Sequence, residues 1–137
     1  MADLALQRAG NQMDVVQSVI QDTHPAADAI TAGQAVRYDT TTGRWRRASN
    51  DSAANNRVYG IATRSCAIGE TVTAIRKGVL DGFNLDAMAY DQDVHLGVNG
   101  AVADATGGAA PRVLGRVIPV RSQKLGSNPD KLFFVDL

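Results

Sequence analysis

The sequence predicts an all-β fold: a small β-sandwich or β-barrel of about nine short strands with an N-terminal arm. Three observations lead there. Short apolar or alternating runs recur along the chain, each bounded by turn residues. Thirteen glycines among 137 residues supply the turns, while aromatic residues make up only 5% of the chain, so the core is lean. One stretch, Arg57 to Gly82, reads as strand, turn, strand, turn.

That stretch is the clearest. Val58, Ile61 and Ala62 open it. From Thr71 to Arg76, Val72 and Ala74 face one way and Thr71, Thr73 and Ile75 the other, the two-residue period of a strand. Gly69 sits where a hairpin must reverse, because a residue without a Cβ takes positive φ easily. Lys77-Gly78 is expected to turn again before a short strand at Val79-Leu80.

The other elements follow in order. Residues 1 to 12 lack sustained periodicity and are expected to form an arm that is poorly ordered alone. Gln12 to Ile20 carries Val15-Val16 and Val19-Ile20, which favour a strand with apolar residues on both faces. Asp22 to Gly33 is a loop in which Ala26 to Ala29 could make one helical turn. Ala35 to Asp39 and Arg44 to Ala48 form a hairpin through Gly43, and Ser49 to Asn56 is a polar loop. Asn84 to Tyr90 is ambiguous, and Leu85 to Met88 could make one helical turn. Asp93 to Leu96 and Ala101 to Ala103 form a second hairpin through Gly100. Arg112 to Val120 is a strand that Pro119 marks as an edge or an end, Ser122 to Asp130 is polar and turn-rich, and Lys131 to Val135 closes the chain. A division into residues 1–28 (arm and first strand) and 29–137 (the β-domain) follows.

An internal echo runs through these elements. A hairpin, a polar loop and then Arg57-Val58-Tyr59-Gly60-Ile61 are matched by a hairpin, a polar loop and then Arg112-Val113-Leu114-Gly115. Two similar β-units sharing one core would produce it.

Composition excludes more functions than it supports. Lysine plus arginine and aspartate plus glutamate each number 14, so the whole molecule has no electrostatic reason to seek nucleic acid or an anionic membrane. No apolar run nears the roughly 20 residues of a membrane span, and the first residues lack a secretory core. The single Cys66 forms no internal disulfide and is read as a small buried hydrophobe. His24 and His95 have no nucleophile in a recognisable turn beside them, and Asp86, Asp91 and Asp93 lack the glycine and distal glutamate of a calcium loop. Gly107-Gly108 has no following lysine, so no phosphate loop is present. No catalytic, metal or cofactor site is expected, and no enzyme.

Arg44, Trp45, Arg46 and Arg47 are the strongest concentration of chemistry. Alternation puts Arg44, Arg46 and Ala48 on one face of the strand and Trp45 and Arg47 on the other. Arginine with tryptophan is what interface anchors prefer. The plainer reading is a core tryptophan flanked by solvated arginines, and the third is nucleic-acid contact. Leu4, Leu6 and Met13 are the apolar residues of the arm, expected to be covered by a partner, with strand addition as the means.

Ala32-Gly33-Gln34-Ala35-Val36, Val58-Tyr59-Gly60-Ile61-Ala62, Ile68-Gly69-Glu70-Thr71-Val72-Thr73 and Lys77-Gly78-Val79 run in that order. Over about residues 30 to 82 this pattern resembles the decoration (cement) proteins of tailed-bacteriophage capsids, and Val94 to Val120 is similar to their later hairpin. The arm and the Arg44–Arg47 strand lie outside the resemblance. It implies a structural virion protein, made in the host cytoplasm, that binds the major capsid protein on the outer capsid surface and stabilises the expanded head. A homotrimer is expected from threefold positions on a shell. The interface residues under that reading are Leu4, Leu6, Met13, Arg44, Trp45, Arg46 and Arg47. The alternative is a head-fibre or tail-associated receptor- or glycan-binding module.

Overall fold

The computed structural model describes residues 2–6, 13–119 and 131–137. The described residues form nine strands and no helix: β1 (Asp14–Pro25), β2 (Ala35–Tyr38), β3 (Trp45–Arg47), β4 (Gly60–Ala62), β5 (Thr71–Asp81), β6 (Asp93–Leu96), β7 (Val102–Ala103), β8 (Val113–Pro119) and β9 (Lys131–Asp136). They pair antiparallel in one sheet of order β3-β2-β4-β5-β9-β8-β6-β7, with β1 added on β5. The sheet curls into a half-barrel, in keeping with the all-β class expected from the sequence.

β5 has three partners and a strand has only two edges. β1 occupies one edge for its whole length, from Asp14↔Asp81 to Pro25↔Thr71. The other edge is divided: β4 pairs at Ile61↔Ile75 and Ala62↔Ala74, and β9 takes over from Lys77↔Asp136 to Leu80↔Phe133. Both faces of β5 are also partly covered. Val72 and Ala74 lie in a smaller buried cluster with Ala26, Ile30, Val36, Trp45, Ala62 and Cys66. Ile75 and Leu80 belong to the larger one, with Val94, Leu96, Leu114, Val117 and Phe133. The period of two was right for Val72 and Ala74, and each face carries buried residues over part of its length, with Thr71 exposed and Thr73, Lys77 and Val79 half-buried.

Three sequence expectations need correction. Lys77-Gly78 is no turn, because β5 runs through it to Asp81. A Cβ on Gly78 would overlap the carbonyl oxygen of Gln17 on β1, so this glycine serves close backbone approach within a strand. The need arises where β1 is irregular: its register on β5 shifts after Val15, Ser18 and Ile20. Second, β1 continues through the expected loop to Pro25, whose missing N–H costs little at the last position of a strand. Third, Ala26 to Ala29 makes no helical turn; Ala26 bridges Trp45, and the Ala27 N–H donates to the Trp45 carbonyl at 2.7 Å. That contact brings the end of β1 back onto β3. Leu85 to Met88 does close one turn, with Met88 N–H donating to the Leu85 carbonyl at 3.0 Å.

The described part of the arm docks on its own fold. Asp3 bridges Ala103, the Leu4 N–H donates to the Val102 carbonyl at 2.7 Å, and the Asp104 N–H donates to the Ala2 carbonyl at 3.0 Å. The outer edge of β7 offers unpaired main-chain groups there, and residues 2–6 satisfy them. The rest of the arm, 7–12, lies outside the described residues, as do Gln12 of the first predicted strand, Val120 and the polar segment Ser122 to Asp130.

The internal echo is present in the topology. β2 pairs with both β3 and β4, and β6 pairs with both β7 and β8. The two three-strand units flank the β5–β9 pair in opposite order. Their hairpin glycines, Gly43 and Gly100, take φ of 71° and 85°. Gly60 and Gly115 close the two Arg-Val-x-Gly runs, and they meet equivalent obstacles. A Cβ on Gly60 would overlap the Ile75 carbonyl of β5, and one on Gly115 the Phe134 carbonyl of β9. Gly115→Ala is therefore expected to cost about 3 kcal/mol, since a paired strand cannot withdraw. Gly69→Ala should cost about 1 kcal/mol, because that site is open and only its φ of 90° opposes a side chain. Urea unfolding of the two variants checks this, and equal losses would refute the close-approach account.

Candidate functional site

The β2–β3 hairpin is built on one carboxylate. Asp39 Oδ1 accepts from the N–H of Thr41 at 2.8 Å and of Thr42 at 3.2 Å, shaping the turn. Its Oδ2 accepts from Arg46 Nε at 2.5 Å. Arg46 also reaches Asp28 Oδ1 at 3.2 Å, and Asp28 Oδ2 accepts the Arg47 N–H at 3.1 Å. The Thr41 N–H, then Arg46 and the Thr42 N–H, hold the Asp39 carboxyl down at about 2.

Trp45 is fully buried, and its Nε1 donates to the Val72 carbonyl of β5 at 2.8 Å. Tyr38, its cross-strand partner, stacks on it with ring centroids 4.9 Å apart. Tyr59 and His24 lie against the same indole at 5.3 and 5.1 Å. Asp22 Oδ2 accepts from the Tyr38 hydroxyl at 2.7 Å and lies 2.6 Å from His24 Nε2. Burial first, and then the Asp22 carboxylate, push the Tyr38 phenol up to about 12. The Tyr38 hydrogen bond, ahead of His24, lowers Asp22. His24 thus packs and orients within an aromatic cluster. His95 sits on β6 opposite Ala103, with its Nδ1 buried and unpartnered among the described residues.

The structure does not bring the predicted site residues together. Met13 is 2% exposed and packs in the larger core; Leu4 and Leu6 are half-buried against that core. Trp45 is enclosed by the smaller one, and Arg46 is held by two carboxylates. These five side chains are engaged within the chain itself, so the covering expected of a partner for Leu4, Leu6 and Met13 is supplied by their own fold. Arg44 and Arg47 remain exposed. Ala48, just past the end of β3, is fully buried in the larger cluster while Trp45 is in the smaller one. Cys66 is buried as expected, and burial raises its thiol above the ordinary value. No group of metal-ligating side chains occurs among the described residues.

What the sequence reading missed is a cleft of about 450 Å³ beside the aromatic cluster. Arg37 and Tyr38 of β2, Arg57 and Tyr59 ahead of β4, Arg76 of β5 and Arg112 ahead of β8 line it. Arg76 lies over the Tyr59 ring at 5.4 Å and donates to the Tyr59 carbonyl at 3.3 Å. Arg57 and Arg112 are the first residues of the two echoed runs, so the signal was present in the repeat.

Comparison with family models, with curated proteins and with solved structures finds no match for this chain.

Two titrations check the site. Asp39 gives stability that is full above its unfolded value of about 4 and is lost as pH falls through about 2. Asp39→Asn should lower Tm at pH 7, with the gap to wild type closing between those values; a gap constant with pH would exclude the carboxylate's role. In alkaline absorbance titration Tyr38 should ionise last, near 12, a step absent from Tyr38→Phe. Its stabilising contribution, present below about 10, is lost as pH rises through 12.

Proposed function

We propose that this chain is a structural virion protein that decorates the outer surface of a tailed-bacteriophage capsid, binding the major capsid protein and stabilising the expanded head. One observation carries the reading. β1 presents Val15, Val16, Val19 and Ile20 to solvent, at 43, 56, 57 and 47% exposure. A run of exposed aliphatic side chains marks a contact surface. The register skips Val16 and Val19, so these two are the bulged residues of β1, and they are also the most exposed of the four. Bulges blunt edge-to-edge pairing. The partner is accordingly met by side-chain packing across β1 rather than by strand addition. The turn-and-strand resemblance over residues 30 to 82 supplies the identity of that partner, and threefold positions on a shell supply the homotrimer.

Each copy adds a small contact free energy, and many copies spread over the joints between shell subunits add up to resistance against internal pressure. The test uses Val16→Asp with Val19→Asp, exposed positions at which a charge leaves the fold intact. Wild type should co-sediment with expanded heads and be present in purified virions in many copies. The double variant should bind at least about tenfold more weakly. Undiminished binding would remove β1 as the contact, and absence of the chain from virions would overturn the reading.

A further inference from the structure

We propose that the arginine-lined cleft binds a compact multivalent oxyanion, a small ligand bearing two or more carboxylate, phosphate or sulfate groups. Four guanidinium groups, Arg37, Arg57, Arg76 and Arg112, line it and no carboxylate does, in a chain whose 14 basic and 14 acidic residues balance. Four like charges around one concavity repel one another, and an anion between them reverses the sign of that interaction. Elsewhere Arg46 pairs with Asp39 and Asp28, and Arg116 with Asp91, while Arg44, Arg47 and Arg64 lie exposed and outside the lining of this cleft. None of the four cleft arginines forms an ion pair among the described residues.

Asp22, the carboxylate that acts on both cleft tyrosines, is already engaged. Its oxygens are taken by the Tyr38 hydroxyl, His24 and the Thr23 N–H. Donor capacity is left over as well. Arg37 Nε is buried with no hydrogen-bond partner, and Arg37 Nη1 makes only a 3.4 Å contact to the Tyr38 carbonyl. Arg76 is fixed in place over Tyr59, so its fork is positioned before any ligand arrives.

Size selects the ligand class. A volume of about 450 Å³ suits a small molecule. Guanidinium forks match carboxylate and phosphate oxygens in pairs, and several forks reward a ligand with several anionic groups over a single small ion. The site does not depend on the capsid reading, since none of its residues lies on β1.

Calorimetric titration of the full chain with pyrophosphate and with citrate, each at matched ionic strength, tests it. Saturable one-to-one binding of either is expected, and which one binds separates phosphate from carboxylate chemistry. Arg57→Gln with Arg112→Gln should weaken binding at least tenfold, while Arg57→Lys, which keeps the charge and loses the fork, should give an intermediate loss. If the double variant does not fold, Arg57→Gln alone, at an exposed position, must still weaken binding measurably. Overturning results are no saturable binding of either probe, an equal effect from sodium chloride, or affinity unchanged in the glutamine variants.

Discussion

The fold depends on the main-chain pairing of β5. One edge of this strand holds β1 throughout, and the other is handed from β4 to β9 near Arg76. A strand so enclosed has no solvated edge in its middle and a buried cluster against part of each face, which is why Ile75 and Ala74, adjacent in sequence, are both fully buried in different clusters. Two short strands each gain a long template this way. β4 has only three residues, and alone such a strand would be marginal. The glycines follow from the same crowding: Gly60 and Gly78 sit where a neighbouring backbone leaves no room for a Cβ against β5.

Repetition explains the rest of the sheet. Each half consists of a hairpin whose first strand also pairs with the strand after the polar loop, and each half ends on the strand that joins it to the other. Both outermost strands receive a segment from the N-terminal region. Ala26 bridges Trp45 on β3, and Asp3 bridges Ala103 on β7. The halves diverge in filling. One encloses an indole with two tyrosines and a histidine around it; the other uses Val94, Leu96 and Leu114.

The strands were legible because their signals are local. Alternation at Val72 and Ala74, the turn glycines Gly43, Gly69 and Gly100, and the echo of Arg-Val-x-Gly all depend on neighbours in sequence. What was not legible depends on neighbours in space. Gly78 looks like a turn until Gln17 is known to lie against it. Pro25 looks like a loop until Thr71 is seen across from it. Met13 looks like a surface anchor because its segment has too little periodicity to form a core of its own; the room for its thioether is left by Gly33 and Gly82, far along the sequence.

Net charge is silent on local arrangement for a related reason. A sum of zero argues against attraction to anions only if the charges are mixed at the scale of the Debye length, roughly 10 Å. Here they are sorted. Acidic side chains are consumed in local structure: Asp39 and Asp28 hold the β2–β3 hairpin through Arg46, Asp22 holds Tyr38 and His24, and Asp91 takes Arg116. Each carboxylate so engaged is fixed at its own post and is not free to neutralise charge elsewhere. Arg37, Arg57, Arg76 and Arg112, contributed by four different parts of the chain, are left around one concavity. Low-dielectric walls and a shared sign concentrate the field there, although from a distance the molecule is neutral. Local charge set by topology, rather than the total set by composition, is what a ligand at that surface meets.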